Sequence, residues 1–163
     1  MRIGMVGLGK MGGNMTRKLL AENHEIVVHD VDEKKIEEYK NQGAEGAYNL
    51  KDLVAKLDTE KNVVWVMVPA GQIVNETIME LSNYLTPGDI VIDGGNSNYK
   101  DSMKLGSKLK EIGINFLDIG TSGGVWGLKE GYCLMVGGPK KAYEYIEPIL
   151  KDLAPEKGYN YIG

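Results

Sequence analysis

The sequence predicts an α/β fold: a mainly parallel, doubly wound sheet with helices on both faces. Three observations predict it. Short apolar runs alternate with helix-forming stretches of roughly ten to fifteen residues along the whole chain, the pattern of β-α-β units. The first apolar run stops at a glycine cluster that opens a helix. The strongest run, Asn62–Val68 (NVVWVMV), is apolar on both faces, as a strand in the middle of a helix-covered parallel sheet must be.

Taken in order, Ile3–Val6 reads as a buried strand, and Lys10–Leu20 as a helix with Met11, Met15, Leu19 and Leu20 at helical spacing. A second strand, Ile26–Asp30, precedes a polar helix, Glu33–Asn41, with Asp32 as its N-cap and Gly43 beyond its end. A weak strand near Ala44–Tyr48 leads to Asn49, which can cap the helix Leu50–Leu57. Pro69 closes the central strand, Gly71–Leu85 is helical, and Pro87-Gly88 makes a turn. Strand Ile90–Asp93, a helix over Asn98–Ile112 capped by Ser97 or Asn98, and strand Ile114–Ile119 continue the alternation. The run Cys133–Met135 reads as a buried strand, with no reactivity assigned to Cys133. Lys140–Leu153 is the last helix, in which Pro148 predicts a bend or break, and Tyr159–Ile162 is a final strand.

The 163 residues are close to the size of one ordinary domain, and neither repeats nor a linker divide them, so residues 1–163 are expected to form one domain. The apolar fraction of 42% and charged fraction of 26% are those of globular chains. No apolar run is long enough to span a bilayer, and the N-terminus carries no secretory pattern, so no membrane association is expected. One cysteine rules out an internal disulfide framework and is compatible with a reducing, cytoplasmic setting; with two histidines it also makes a metal site unexpected. A net charge of −4 offers no footprint for nucleic acid. Arginine occurs only at Arg2 and Arg17, too few for a chain that clamps a phosphorylated substrate by itself.

Glycine, at 22 residues, is in excess and clustered. The first cluster, Gly7-Leu8-Gly9-Lys10-Met11-Gly12, is a G-x-G-x-x-G motif in the right place, after a strand and opening a helix. Gly7 allows the tight turn, Gly9 lets a pyrophosphate approach the backbone, and Gly12 allows close helix–strand packing. The N–H groups of the new helix then face the diphosphate, whose charge the helix dipole favours. Asp30 ends the second strand 18 residues after Gly12, where an acid accepts hydrogen bonds from the adenosine ribose. Its charge repels a 2′-phosphate, and Val31 stands where an NADP site commonly has a cation, so NAD is expected over NADP. Lys34 and Lys35, expected on a solvated helix face, keep NADP possible.

Two more clusters follow strands: Asp93-Gly94-Gly95-Asn96-Ser97 and Thr121-Ser122-Gly123-Gly124. Ligands in open parallel sheets bind beyond the carboxyl ends of the strands, so Gly7–Gly12, Pro69–Gly71, Asn96 and Ser122–Gly124 are expected to share one edge. Asn96 can both donate and accept, and Ser122 with neighbouring backbone N–H groups suits an oxygen-rich anion. Tight turns with an N-cap at Ser97 or Asn98 would account for the glycines, but not for Asn and Ser at that edge.

GLGKMG, VPAG after the central strand, DGGNS, and SGGVWGLKEGYCLMVGG together resemble the N-terminal, Rossmann-like cofactor domain of decarboxylating 6-phosphogluconate dehydrogenase, over essentially the whole chain. The resemblance implies oxidative decarboxylation of 6-phosphogluconate to ribulose 5-phosphate and CO2 by an oligomer, a homodimer or homotetramer. It places Gly7, Leu8, Gly9, Lys10, Met11 and Gly12 on the pyrophosphate and Asp30, Val31 and Asp32 on the adenosine ribose. Val68, Pro69 and Ala70 would line the cofactor, Asn96 would touch cofactor and substrate, and Ser122, Gly123 and Gly124 would hold the sugar acid. NADP-using members typically have Asn-Arg-Thr or Asn-Arg-Ser where this chain has Asp30-Val31-Asp32, which again favours NAD. The family's general base, a lysine, and general acid, a glutamate, are expected downstream, in an all-helical domain that also supplies the phosphate clamp. No catalytic residue is therefore expected among these 163, and the isolated chain should bind cofactor without turnover. Other readings are a β-hydroxyacid dehydrogenase of the 3-hydroxyisobutyrate type and a free-standing NAD-binding sensor. Trp65 is expected to pack against a helix. Trp126 is expected either to cover the site or to meet another domain, and Lys129 and Glu130 to be solvated loop charges.

Overall fold

The computed structural model describes residues 1–123 and 130–163. In chain order the elements are β1 Arg2–Val6, α1 Lys10–Ala21, β2 Glu25–His29, α2 Glu33–Lys40, β3 Glu45–Gly46, α3 Leu50–Leu57 and β4 Val63–Val66. Then follow α4 Gln72–Ser82, β5 Ile90–Asp93, α5 Tyr99–Glu111, β6 Asn115–Ser122, β7 Cys133–Gly137, α6 Lys140–Leu153 and β8 Tyr159–Tyr161. All eight strands join one sheet in the order β3-β2-β1-β4-β5-β6-β7-β8. The strands from β3 across to β6 are parallel; β7 runs antiparallel to β6, and β8 parallel to β7.

Strand alternation sorts the core into two layers, because successive residues of a strand face opposite sides. Ile3, Met5, Trp65, Ile90 and Ile92 face one side, with Met15 and Leu19 of α1, Ile36 and Tyr39 of α2, and Ile146, Ile149 and Leu150 of α6. Val64, Val66 and Val91 face the other, with Leu53 and Leu57 of α3, Val74, Ile78 and Leu81 of α4, and Leu105 and Leu109 of α5. The chain moves outward from β1 to β3 and then returns to place β4 on the opposite flank of β1. That reversal opens a crevice at the carboxyl ends of β1 and β4, where such sheets bind ligands.

Local signals fix the helix starts. Asp32, Asn49 and Asn98 each accept a backbone N–H two or three residues on, capping α2, α3 and α5. Ser97 does not cap α5; its hydroxyl donates to Asp93 instead. Helix α6 runs unbroken through Pro148. The run around Cys133 forms a strand, but not a buried one. Among the described residues only one of its faces is covered, so Leu134 and Val136 are buried against α6 while Cys133 and Met135 are exposed. Beside α5 this uncovered face borders a groove of about 680 Å³ lined by Tyr99, Met103, Phe116, Asp118 and Gly163. Among the described residues no helix is long and apolar enough to cross a membrane.

Candidate functional site

The turn after β1 is fixed by two close approaches. Gly7 has φ +97°, and a side chain there would run into the Met67 carbonyl. A Cβ on Gly12 would overlap the Gly7 carbonyl oxygen, so α1 starts directly against the turn. Gly9 differs, because a Cβ there would meet nothing within 4 Å. Its absence leaves the backbone open to an approaching group, which is the fit a diphosphate needs. Helix α1 has no side-chain N-cap and no acidic residue in its first turn, so its positive end faces that open space without a carboxylate of its own to neutralise it. Lys10 is exposed at the same turn, and Met11 is half-buried.

The strand ends are sewn together beyond the regular ladders. Gly7 N–H donates to the His29 carbonyl at 2.9 Å, Met67 N–H to Val6 at 2.7 Å, and Gly94 N–H to Val66 at 2.9 Å. Asp30 lies just past β2, and one carboxylate oxygen accepts the Leu8 N–H at 2.7 Å. The other accepts the Asp32 N–H at 2.9 Å. Asp30 therefore braces the glycine turn, a role that its position at a strand end did not announce. Each oxygen keeps a further lone pair for a ribose hydroxyl. Val31 is 97% exposed beside it, and Asp32 caps α2 through the Lys34 N–H. Lys34 is exposed and Lys35 half-buried on α2. The Arg17 guanidinium is engaged by Glu38, Asn14, Gln42 and the Tyr39 ring.

After β4, Val68 is half-buried and Pro69 and Ala70 are exposed. After β5, buried Asp93 shapes the loop, accepting the Gly95 N–H at 2.9 Å and the Ser97 hydroxyl at 2.5 Å. Asn96 is exposed and holds a left-handed backbone, φ +57°. Its amide oxygen lies 3.9 Å from where a Cβ of Gly120 on β6 would be. Ser122 belongs to β6 itself, three residues past the expected end of the strand, and is exposed with Gly123 at the strand terminus. Gly124, Trp126 and Lys129 lie outside the described residues; Glu130 is exposed.

β1, β4, β5 and β6 are parallel neighbours, so the glycine turn, Pro69–Gly71, Asn96 and Ser122–Gly123 lie at or just past strand carboxyl ends along one edge of the sheet. Asp93 was missed as a loop-shaping acid, although its spacing to Gly95 and Ser97 is that of an Asx-type turn. Asp93 and Asp118 are paired in register on the side facing α5. Burial, and then the Asp93 carboxylate, push the Asp118 pKa above the ordinary carboxylate range.

An open glycine turn at the β1 switch point, with an acid behind it, defines a dinucleotide-binding domain of the doubly wound class. The family model for the NAD binding domain of 6-phosphogluconate dehydrogenase matches residues 2–163, and the chain belongs to that family. It is 45% identical over 163 residues to a Bacillus subtilis (strain 168) protein named "Putative 6-phosphogluconate dehydrogenase YqeC", covering 100% of this chain and 54% of that protein. It is 37% identical over 164 residues to the NAD(+)-dependent decarboxylating 6-phosphogluconate dehydrogenase of Haloferax volcanii, again covering 100% of this chain and 54% of that enzyme. Among solved structures, Plasmodium falciparum 6-phosphogluconate dehydrogenase, studied with NADP+ and with 6-phosphogluconate, superposes with TM-score 0.91 at 30% identity over 100% of this chain and 37% of its own. The chain thus spans about half the length of the curated relatives it matches.

Proposed function

We propose that these residues are the cofactor-binding part of a decarboxylating 6-phosphogluconate dehydrogenase that prefers NAD. The observation that carries this reading is the meeting of an open glycine turn with the Asn96 and Ser122–Gly123 loops on one sheet edge. The N–H groups around Gly9–Gly12 hold the diphosphate, Asp30 and Asp32 face the adenosine ribose, and Val68–Ala70 line the path to the nicotinamide. When bound, the nicotinamide supplies a hydride acceptor. Asn96 and Ser122, with Gly123 and Gly124, orient the sugar acid so that its hydroxyl-bearing carbon β to the carboxylate faces that acceptor. Loss of a hydride from that carbon, with its hydroxyl proton passing to the lysine base, would leave a β-keto acid, and release of CO2 from it would give an enediol that the glutamate acid protonates to ribulose 5-phosphate.

Described carboxylates and lysines at this edge are either engaged in holding loops, as Asp30 and Asp93 are, or exposed on the cofactor side, as Lys10 is. As the resemblance implies, the lysine base and glutamate acid of the reaction are assigned to a helical domain of a longer, oligomeric enzyme, in line with relatives of which this chain spans 54%. The preference for NAD rests on charge. Asp30, Asp32 and exposed Val31 offer a 2′-phosphate no cation, and Arg17 is already committed. Calorimetric titration of the 163-residue chain should give tighter binding of NAD+ than of NADP+, and no turnover of 6-phosphogluconate. Tighter NADP+ binding would overturn the cofactor assignment, and turnover would overturn the placement of the catalytic groups.

A further inference from the structure

The end of β4 and the residue just past it carry an arrangement that the dinucleotide reading does not use. Trp65 is fully buried, and its indole N–H needs an acceptor there. It finds one in the Met67 thioether, with Nε1 3.2 Å from Sδ. Trp65 and Met67 share a strand face, so the N–H···S pair stands as a short pillar at the carboxyl end of β4. Gly94, on the neighbouring strand end, lies against it, and a Cβ at Gly94 would overlap both the Met67 sulfur and the Trp65 nitrogen. The first glycine after Asp93 is thus required by the pillar.

Met67 divides its contacts between two loops. Its N–H bonds to Val6, its carbonyl abuts Gly7, and its Cβ abuts Gly12, all on the dinucleotide turn. Towards Gly94 it is the Met67 sulfur, at the far end of the side chain, that makes the close approach. Two residues past Gly94 stands Asn96 in a left-handed conformation, which asparagine adopts more readily than other non-glycine residues. The pillar presses on one side of this loop, Asp93 ties the Gly95 N–H, and Gly120 lies under the Asn96 amide.

Resting on the dinucleotide reading, we propose that Met67, held by Trp65, is a positioning residue that sets the Asn96 loop against the glycine turn and so tunes the nicotinamide end of the site separately from its diphosphate end. Truncation in Met67→Ala keeps the main chain and Cβ, and with them the glycine turn. The test compares wild type, Met67→Ala, Met67→Leu and Leu57→Ala, a destabilised control on α3, in binding NAD+ and ADP-ribose, which lacks the nicotinamide. Met67→Ala should weaken NAD+ about fivefold or more while ADP-ribose stays within about twofold. Met67→Leu should recover most of the NAD+ affinity through its volume, yet alter the near-ultraviolet signal of Trp65, whose N–H loses its acceptor. Leu57→Ala should leave the ratio of the two ligands unchanged. Equal effects on both ligands, no effect on either, or a shifted ratio in Leu57→Ala would overturn the proposal. Amide resonances give a ligand-free check that survives failure of the dinucleotide reading: Met67→Ala, or Met67→Leu if the alanine variant does not fold, must shift Gly94–Ser97 more than Gly9–Gly12. The reverse order sinks the pillar whatever NAD+ does.

Discussion

Replacing Asp30 by alanine separates bracing the glycine turn from holding the ribose. The carboxylate accepts two backbone N–H groups, from Leu8 and Asp32. Leu8 is 2% exposed, so its N–H would be left buried without a partner, a cost of about 1–3 kcal/mol. The Asp32 N–H is exposed and can turn to water, adding about 0.5 kcal/mol. A total of about 2.5 kcal/mol corresponds to a fall in melting temperature of roughly 5–10 °C for a domain of this size. Calorimetry on the apo chain measures that fall without any ligand. Binding of NAD+ should weaken at least about tenfold, because the loosened turn no longer presents its N–H groups together. NADP+ should lose less, because the negative charge that opposes its 2′-phosphate goes as well. Asp30→Asn, which keeps one acceptor oxygen and turns the other towards an N–H as a donor, should fall between. An alanine variant that melts with wild type and binds NAD+ unchanged would show that Asp30 neither braces the turn nor holds the ribose.

Val31→Arg should narrow the gap between NAD+ and NADP+ by about tenfold in a titration, since one well-placed cation on a phosphate is worth roughly 1–2 kcal/mol. Gly12→Ala should lower NAD+ affinity by at least about a hundredfold while far-ultraviolet dichroism is retained, because the added Cβ overlaps the Gly7 carbonyl and displaces the turn rather than the sheet. Asp118→Asn probes pH dependence. A carboxyl whose folded pKa is raised gives stability that is present below its unfolded value and lost as pH rises through the folded one. The variant should therefore melt at the same temperature as wild type near pH 3.5 and at a higher one at pH 7. Leu57→Ala, which empties a fully buried site on α3, should cost about 2–5 kcal/mol in denaturant unfolding.

Much of the architecture was legible because period and punctuation agree. The run Asn62–Val68 is apolar on both faces, as its place between β1 and β5 demands, and the N-caps Asp32, Asn49 and Asn98 sit where a polar residue precedes a helical pattern. Element ends were less legible. β4 stops at Val66 and β2 at His29, short of the ends that the apolar runs suggest, although a main-chain bond from Met67 to Val6 still ties the chain to β1 beyond β4. The run at Cys133 misled because alternation was hidden: both faces are apolar, yet only the Leu134 and Val136 face has a helix over it. At the site, the glycines could be read from their spacing, since each is required by a main-chain approach that recurs with the turn. The bracing role of Asp30 and the link from Trp65 through Met67 to Gly94 could not, because they join residues brought together only when β1, β4 and β5 lie side by side.

The central claim is that backbone N–H groups of the β1–α1 turn hold a dinucleotide. A titration of the 15N-labelled chain with NAD+ tests it most directly. Saturable shifts are expected, concentrated at Leu8–Gly12, with smaller ones at Val31–Asp32 and Gly94–Asn96. Unchanged turn amides, or shifts confined to the groove beside α5, would contradict it.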